Sequence, residues 1–127
     1  MKKSLIYLAM VMLAISAAVS VAARTTNDSK ETTVTGEVID LKCYEGKNGA
    51  RGESHKMCAI ACAKRGNQMA IIDEKNNIYS ITGTYSENKN EKLVEFVAET
   101  VEVKGVVSET DGKKFIAVSS IKKAEKK

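Results

Sequence analysis

Three thiols and one imidazole are the groups in this 127-residue chain best suited to metal or redox chemistry: Cys43, Cys58, Cys62 and His55, which are all of its cysteines and its one histidine. On a helix, His55, Cys58 and Cys62 fall at i, i+3 and i+7, a single stripe on one face. Cys43 lies upstream at the end of a strand-like segment, and a glycine-rich stretch through Gly46, Gly49 and Gly52 leaves room for it to fold back onto that stripe. Four such groups match a tetrahedral Cys3His set in number and type, suited to Zn(II), or to Cu(I) with Met57 or Met69 as auxiliary sulfur ligands. Four protein ligands would close the coordination shell, so such a site would be structural or would carry metal, exchanging it with donor or acceptor proteins, rather than catalyse.

Two other chemistries use the same residues. In an oxidising compartment, Cys43 bonded to Cys58 or Cys62 would staple a small binding module, contributing roughly 3 kcal/mol and leaving one thiol over. Cys58 and Cys62, one turn apart on a helix, project in parallel and would have to distort to bond each other. Alternatively Cys58, near the positive end of the helix and beside His55 and Lys56, would be a redox-active thiolate resolved by Cys62 or Cys43. Metal binding predicts sensitivity to loss of either Cys58 or His55, a staple predicts indifference to His55, and a redox protein predicts a cycling thiol.

Other enzyme signatures are missing from the pattern. No Ser/His/Asp set can be assembled around a histidine that sits among cysteines, and the acidic pairs Asp73-Glu74 and Glu109 with Asp111 fall in turns, where acidic residues are common. The three glycines lack the lysine-serine ending of a phosphate loop, and no nucleotide cofactor is expected. Met57, Ile60 and Ala61 beside the stripe are expected to pack the helix onto the core, and Lys64-Arg65 suits a helix C-terminus.

The elements that must position these residues read mostly as strands. Thr33 to Leu41 is rich in β-branched residues, with Val34 and Val38 on one face and Ile39 and Leu41 on the other. Met69 to Asp73 and Asn77 to Thr82 flank a polar turn, and Thr100 to Ser108 is followed by a Thr110-Asp111-Gly112-Lys113 turn and Phe115 to Ile121. One helix is expected from Ser54, as N-cap, to Arg65, with Gly66 as its stop, and a second from about Asn90 to Ala98, with Leu93, Phe96 and Val97 inward. Five strands with a helix between the third and fourth predict a mainly β, α+β domain: an OB-like barrel with the cysteine helix inserted between strands one and two. The repeated Val-x-Gly-x-Val of 34–38 and 103–107 places Gly36 and Gly105 inside strands, where glycine marks a bulge or tight coiling.

The order Gly36-x-Val38-x-Asp40-x-x-Cys43, Gly52-x-x-His55-x-x-Cys58-Ala59-x-x-Cys62-Ala63-x-x-Gly66 and a closing Val-x-Val-x-Gly strand resembles a group of small secreted bacterial OB-fold-like proteins of uncharacterised function. The resemblance spans most of the chain beyond its first segment and implies a fold, a compartment and the four-residue signature, without an activity. The Cys58-x3-Cys62 spacing is also similar to the dinuclear copper loop of oxidases. Gly66, however, stands where that loop has a histidine.

Residues 1–23 read as a signal peptide: Met1-Lys2-Lys3 is basic, Leu5 to Val19 is almost wholly apolar, and Ser20-Val21-Ala22-Ala23 offers a cleavage site. The expected product is exported, periplasmic or extracellular, with no stable membrane insertion after cleavage. Residues 24–31 read as a disordered lead, 32–122 as the domain and 123–127 as a charged tail. The net charge of +4 falls by two when Lys2 and Lys3 are removed, and the chain has no Trp, two Phe and four Tyr. A near-balanced, aromatic-poor domain argues against nucleic-acid binding.

Overall fold

In a computed structural model, described for residues 30–125, five strands form one mixed sheet that closes into a ring in the order β1-β2-β3-β5-β4. The strands are β1 (Glu31–Asp40), β2 (Met69–Asp73), β3 (Ile78–Thr82), β4 (Thr100–Thr110) and β5 (Lys113–Lys123). All five expected strands are present. β1 pairs antiparallel with both β2 and β4, β4 with β5, and β3 with β2, while β3 and β5 run parallel to complete the ring. The signal segment and residues 24–29 lie outside the described residues, as do Lys126 and Lys127. Glu31 already pairs with Val106 and Lys123 with Val101, so the sheet takes one residue from each flank that the sequence reading left outside the domain.

The period-two pattern sorts the ring's two faces. Val34, Val38, Met69, Ile71, Ile81, Val101, Val103, Ile116 and Val118 are buried together in the main core, joined by Leu93 and Val97. Ile39, Ala70 and Ile72 point to the other face, where Leu41, Tyr44 and Ile78 pack over them. The ring needs its two strand glycines: a Cβ on Gly36 would run into the Ile72 carbonyl, and one on Gly105 into that of Ala117. At Gly105 the β4–β5 register also slips, the bulge expected of a glycine inside a strand. The β4–β5 turn holds Asp111 at φ 53° and Gly112 at φ 72°, the left-handed pair a tight hairpin requires.

Three expectations about helices are corrected. A short helix not anticipated, α1 (Leu41–Gly46), follows β1 directly and carries Cys43, so this cysteine is in a helical first turn rather than at a strand end. The cysteine helix proper, α2 (Lys56–Lys64), is shorter than 54–65: Glu53–His55 form a 3-10 turn, and Ser54 makes no capping bond. Gly52, at φ 80°, opens that turn with its N–H held by Glu37 Oε1 at 2.6 Å, which sets the chain's entry in place of a serine cap. The second expected helix is a 3-10 stretch, Glu91–Phe96, after Asn88, Lys89 and Asn90 in left-handed conformations that an α-helix cannot contain. Its apolar face is as expected in kind, with Leu93 and Val97 fully buried and Phe96 packed against the core. None of the described helices is long and apolar enough to cross a membrane.

Candidate metal centre

The β1–β2 connection is built to bring α1 against α2. Asp40, 1 % exposed at the end of β1, accepts the Cys43 N–H through Oδ1 at 2.6 Å, capping the third residue of α1 and fixing where that helix begins. Its Oδ2 accepts from Asn67 Nδ2 at 3.2 Å, beyond the end of α2. One carboxylate thus ties both cysteine-bearing helices together.

The end of α2 is equally constrained. Gly66 N–H donates to Ala63 O and Asn67 N–H to Cys62 O, with Gly66 at φ 87°, the paired bonds and left-handed residue of a Schellman stop. Asn90, buried and itself left-handed, donates Nδ2 to Ala63 O at 3.0 Å and Asn67 O at 2.9 Å. At the other end, Lys56 Nζ lies 2.7 Å from Glu99 Oε1 and 3.6 Å from Glu53, and Arg51 lies 4.0 Å from Glu37. The hydrogen bond to Glu99 is the main influence holding the Lys56 pKa above its ordinary value. Ala59 and Ala63 are small enough to sink α2 into the main core, which turns Cys58 and Cys62 toward α1.

The result is a cluster of three thiols. The Sγ atoms of Cys43, Cys58 and Cys62 all lie within 4.8 Å of one another, and Cys43 Sγ is 4.0 Å from Cys62 Sγ. Sulfurs bound to one tetrahedral Zn(II) at about 2.3 Å sit about 3.8 Å apart, so the spacing fits a shared soft cation. It is far longer than the roughly 2.05 Å of a disulfide. All three cysteines are free, and the alternative bridges from Cys43 to Cys58 or Cys62 find no bonded pair here.

Burial, then the neighbouring Asp40 carboxylate, push the Cys43 thiol up to about 12. Without a cation it keeps its proton, and a bound metal would have to displace it.

The other expected ligands go elsewhere. His55 lies outside the three-thiol group, at the N-terminus of α2, lining a cavity of about 10 Å³ with Val38, Asp40 and Ala59. Its Nε2 is buried and accepts or donates no hydrogen bond among the described residues. Met57 is 79 % exposed and does not pack as the sequence reading expected, whereas Met69 is wholly buried in the core of the ring. Ile60 packs against the core, and Ala61 is exposed.

Asn67 and Asn90, which help align the thiols, are not among the residues the sequence pattern singles out, and Asp40 stands in the motif before Cys43 without a role assigned to it. Asp40 stands three residues before Cys43, a capping position legible in principle but hidden by the apolar run through Ile39 to Leu41. A separate hollow of about 890 Å³, lined by Asp73, Tyr79 and Lys122 among others, contains no cysteine. Comparison with known proteins adds no identification: no family model, curated protein or solved structure matches this chain.

Proposed function

We propose that this chain is a small metal-binding or metal-carrying protein whose Cys43, Cys58 and Cys62 hold one Zn(II) or Cu(I) ion as thiolates. The observation that carries the reading is the mutual approach of three sulfurs from two helices within 4.8 Å. Nothing in the packing of a β ring requires three thiols to converge, and soft thiolate ligands select these cations. Three sulfurs complete a trigonal Cu(I) site and leave a fourth position on Zn(II).

The rest of the reading goes with this centre. The ring order, with the cysteines in the long β1–β2 connection, supports an OB-like barrel using its first loop for binding. The basic start, apolar run and small residues of 1–23 support export, and an envelope protein that donates or accepts the metal would be the partner.

The deciding experiment is native mass spectrometry of reduced protein with an equivalent of Zn(II) or Cu(I), paired with a thiol count before and after denaturation. One bound ion and three thiols that react only after denaturation are expected. Failure to retain either ion, or full retention by Cys43→Ser, would overturn the proposal.

A further inference from the structure

Cys43 and Cys62 reach the surface side of the cluster through a pocket of about 330 Å³, lined also by Lys42, Gly46, Lys47, Arg65 and Asn67. Among the described residues, Lys42, Lys47 and Arg65 form no ion pair, and all three are exposed. Arg65 spends its Nε on the Ala61 carbonyl, which orients the side chain without neutralising it. The pocket thus has two thiols in its wall and, around it, three cations that form no ion pair among the described residues.

That combination has a chemical meaning. Cations are usually dispersed or matched by carboxylates, whereas among the described residues no carboxylate lines this pocket, and Asp40, beside Cys43, is buried and committed to Cys43 N–H and Asn67. The volume suits a small molecule, at the lower end of ordinary ligand pockets. It opens on Cys43 and Cys62, two of the three groups that would hold the metal.

We infer that this pocket admits a small anionic thiol, a thiol bearing one or more carboxylates, which completes the coordination of a Zn(II) ion held by Cys43, Cys58 and Cys62 while its carboxylates lie against Lys42, Lys47 and Arg65. The inference rests on the metal-binding reading above. The incoming thiol would bind as thiolate: one metal–sulfur bond forms as the S–H bond breaks and the solvent molecule in the fourth position leaves, the proton passes to solvent, no protein ligand leaves, and nothing is oxidised or reduced. Such a mixed complex is the species through which a metal is handed on without crossing solvent as a free ion.

Co(II) replaces Zn(II) as a spectroscopic probe, since its visible bands and sulfur charge-transfer bands report tetrahedral thiolate coordination. Reduced full-length protein loaded with one equivalent of Co(II) would be titrated with mercaptosuccinate and, separately, with the uncharged 2-mercaptoethanol. Native mass spectrometry would identify the ternary complex.

Mercaptosuccinate is expected to bind at least about tenfold more tightly than 2-mercaptoethanol at low ionic strength. That preference should collapse in about 1 M salt, where charges are screened within roughly 3 Å, and in the Lys42→Gln/Lys47→Gln/Arg65→Gln variant. A normal cobalt spectrum with equal affinity for the two thiols, with no ternary complex, or with cobalt stripped from the protein would overturn the inference and leave the metal reading standing. Absence of the cobalt–thiolate spectrum itself would instead overturn the metal reading, and this inference with it.

Discussion

Cys43 is where the chemistry of the centre can be measured most directly, because burial and the Asp40 carboxylate raise its pKa from 9.0 to about 12. The sign follows from the neutral form being the one the fold favours. In unliganded protein this contribution to stability is complete below about pH 9 and is lost as pH climbs through 12. Metal binding has the opposite dependence, since the ion must displace the Cys43 proton. Affinity for Zn(II) should therefore rise by at least about tenfold per pH unit between roughly pH 6 and 8, which competition with a chromophoric chelator would read. Removing a thiolate, as in Cys58→Ser, should weaken binding well beyond 100-fold, whereas His55→Ala, outside the sulfur group, should change it by less than about tenfold. If the histidine variant lost as much as the cysteine variant, the centre would be Cys3His after all.

The element that matters most is α2, and its lower end depends on one buried amide. Asn90→Ala would leave the Ala63 and Asn67 carbonyls without their side-chain donor and place a Cβ residue without a compensating amide at φ 57°. A loss of about 1–3 kcal/mol is expected in urea denaturation, with metal affinity falling in parallel because Cys62 lies one turn from the released end. Gly66→Ala, at φ 87°, tests the same stop through backbone strain alone, at a cost of about 1–2 kcal/mol. Gly66 was legible in the sequence because a helix stop has a residue type, and so were the five strands, because alternation has a period. Asn90 was not, since its role comes from a left-handed turn 23 residues beyond Asn67 that no local pattern announces. The same limit explains α1: Asp40 can end a strand or cap a helix, and only Asn67 arriving from the far side of α2 fixes its carboxylate in the second role. The three thiols were grouped correctly by type, while the helical stripe through His55 failed because the chain enters α2 through a 3-10 turn.

At the scale of the whole molecule, the centre is mounted on the ring through β1, which runs directly into α1. The ring can close because β1 approaches β2 at Gly36, and β4 approaches β5 at Gly105, more tightly than any side chain permits. These two positions lie in different strand pairs, so their effects should differ in what they transmit. Gly36 stands four residues before Asp40 on the strand that launches α1, and a Cβ there pushes on the backbone of Ile72, the β2 residue next to its ladder partner Asp73. Gly105 sits at the β4–β5 bulge, on strands that carry none of the thiols. Both Gly36→Ala and Gly105→Ala should cost about 1–3 kcal/mol as overpacking against backbone that cannot rotate away. Only Gly36→Ala should also loosen the thiol cluster, since displacing the end of β1 moves Asp40 and, through its bond to the Cys43 N–H, the first sulfur. Zn(II) affinity compared at a temperature where both variants are fully folded checks this. A selective loss in Gly36→Ala is expected, and equal affinities would mean that α1 and α2 hold the thiols together independently of the ring.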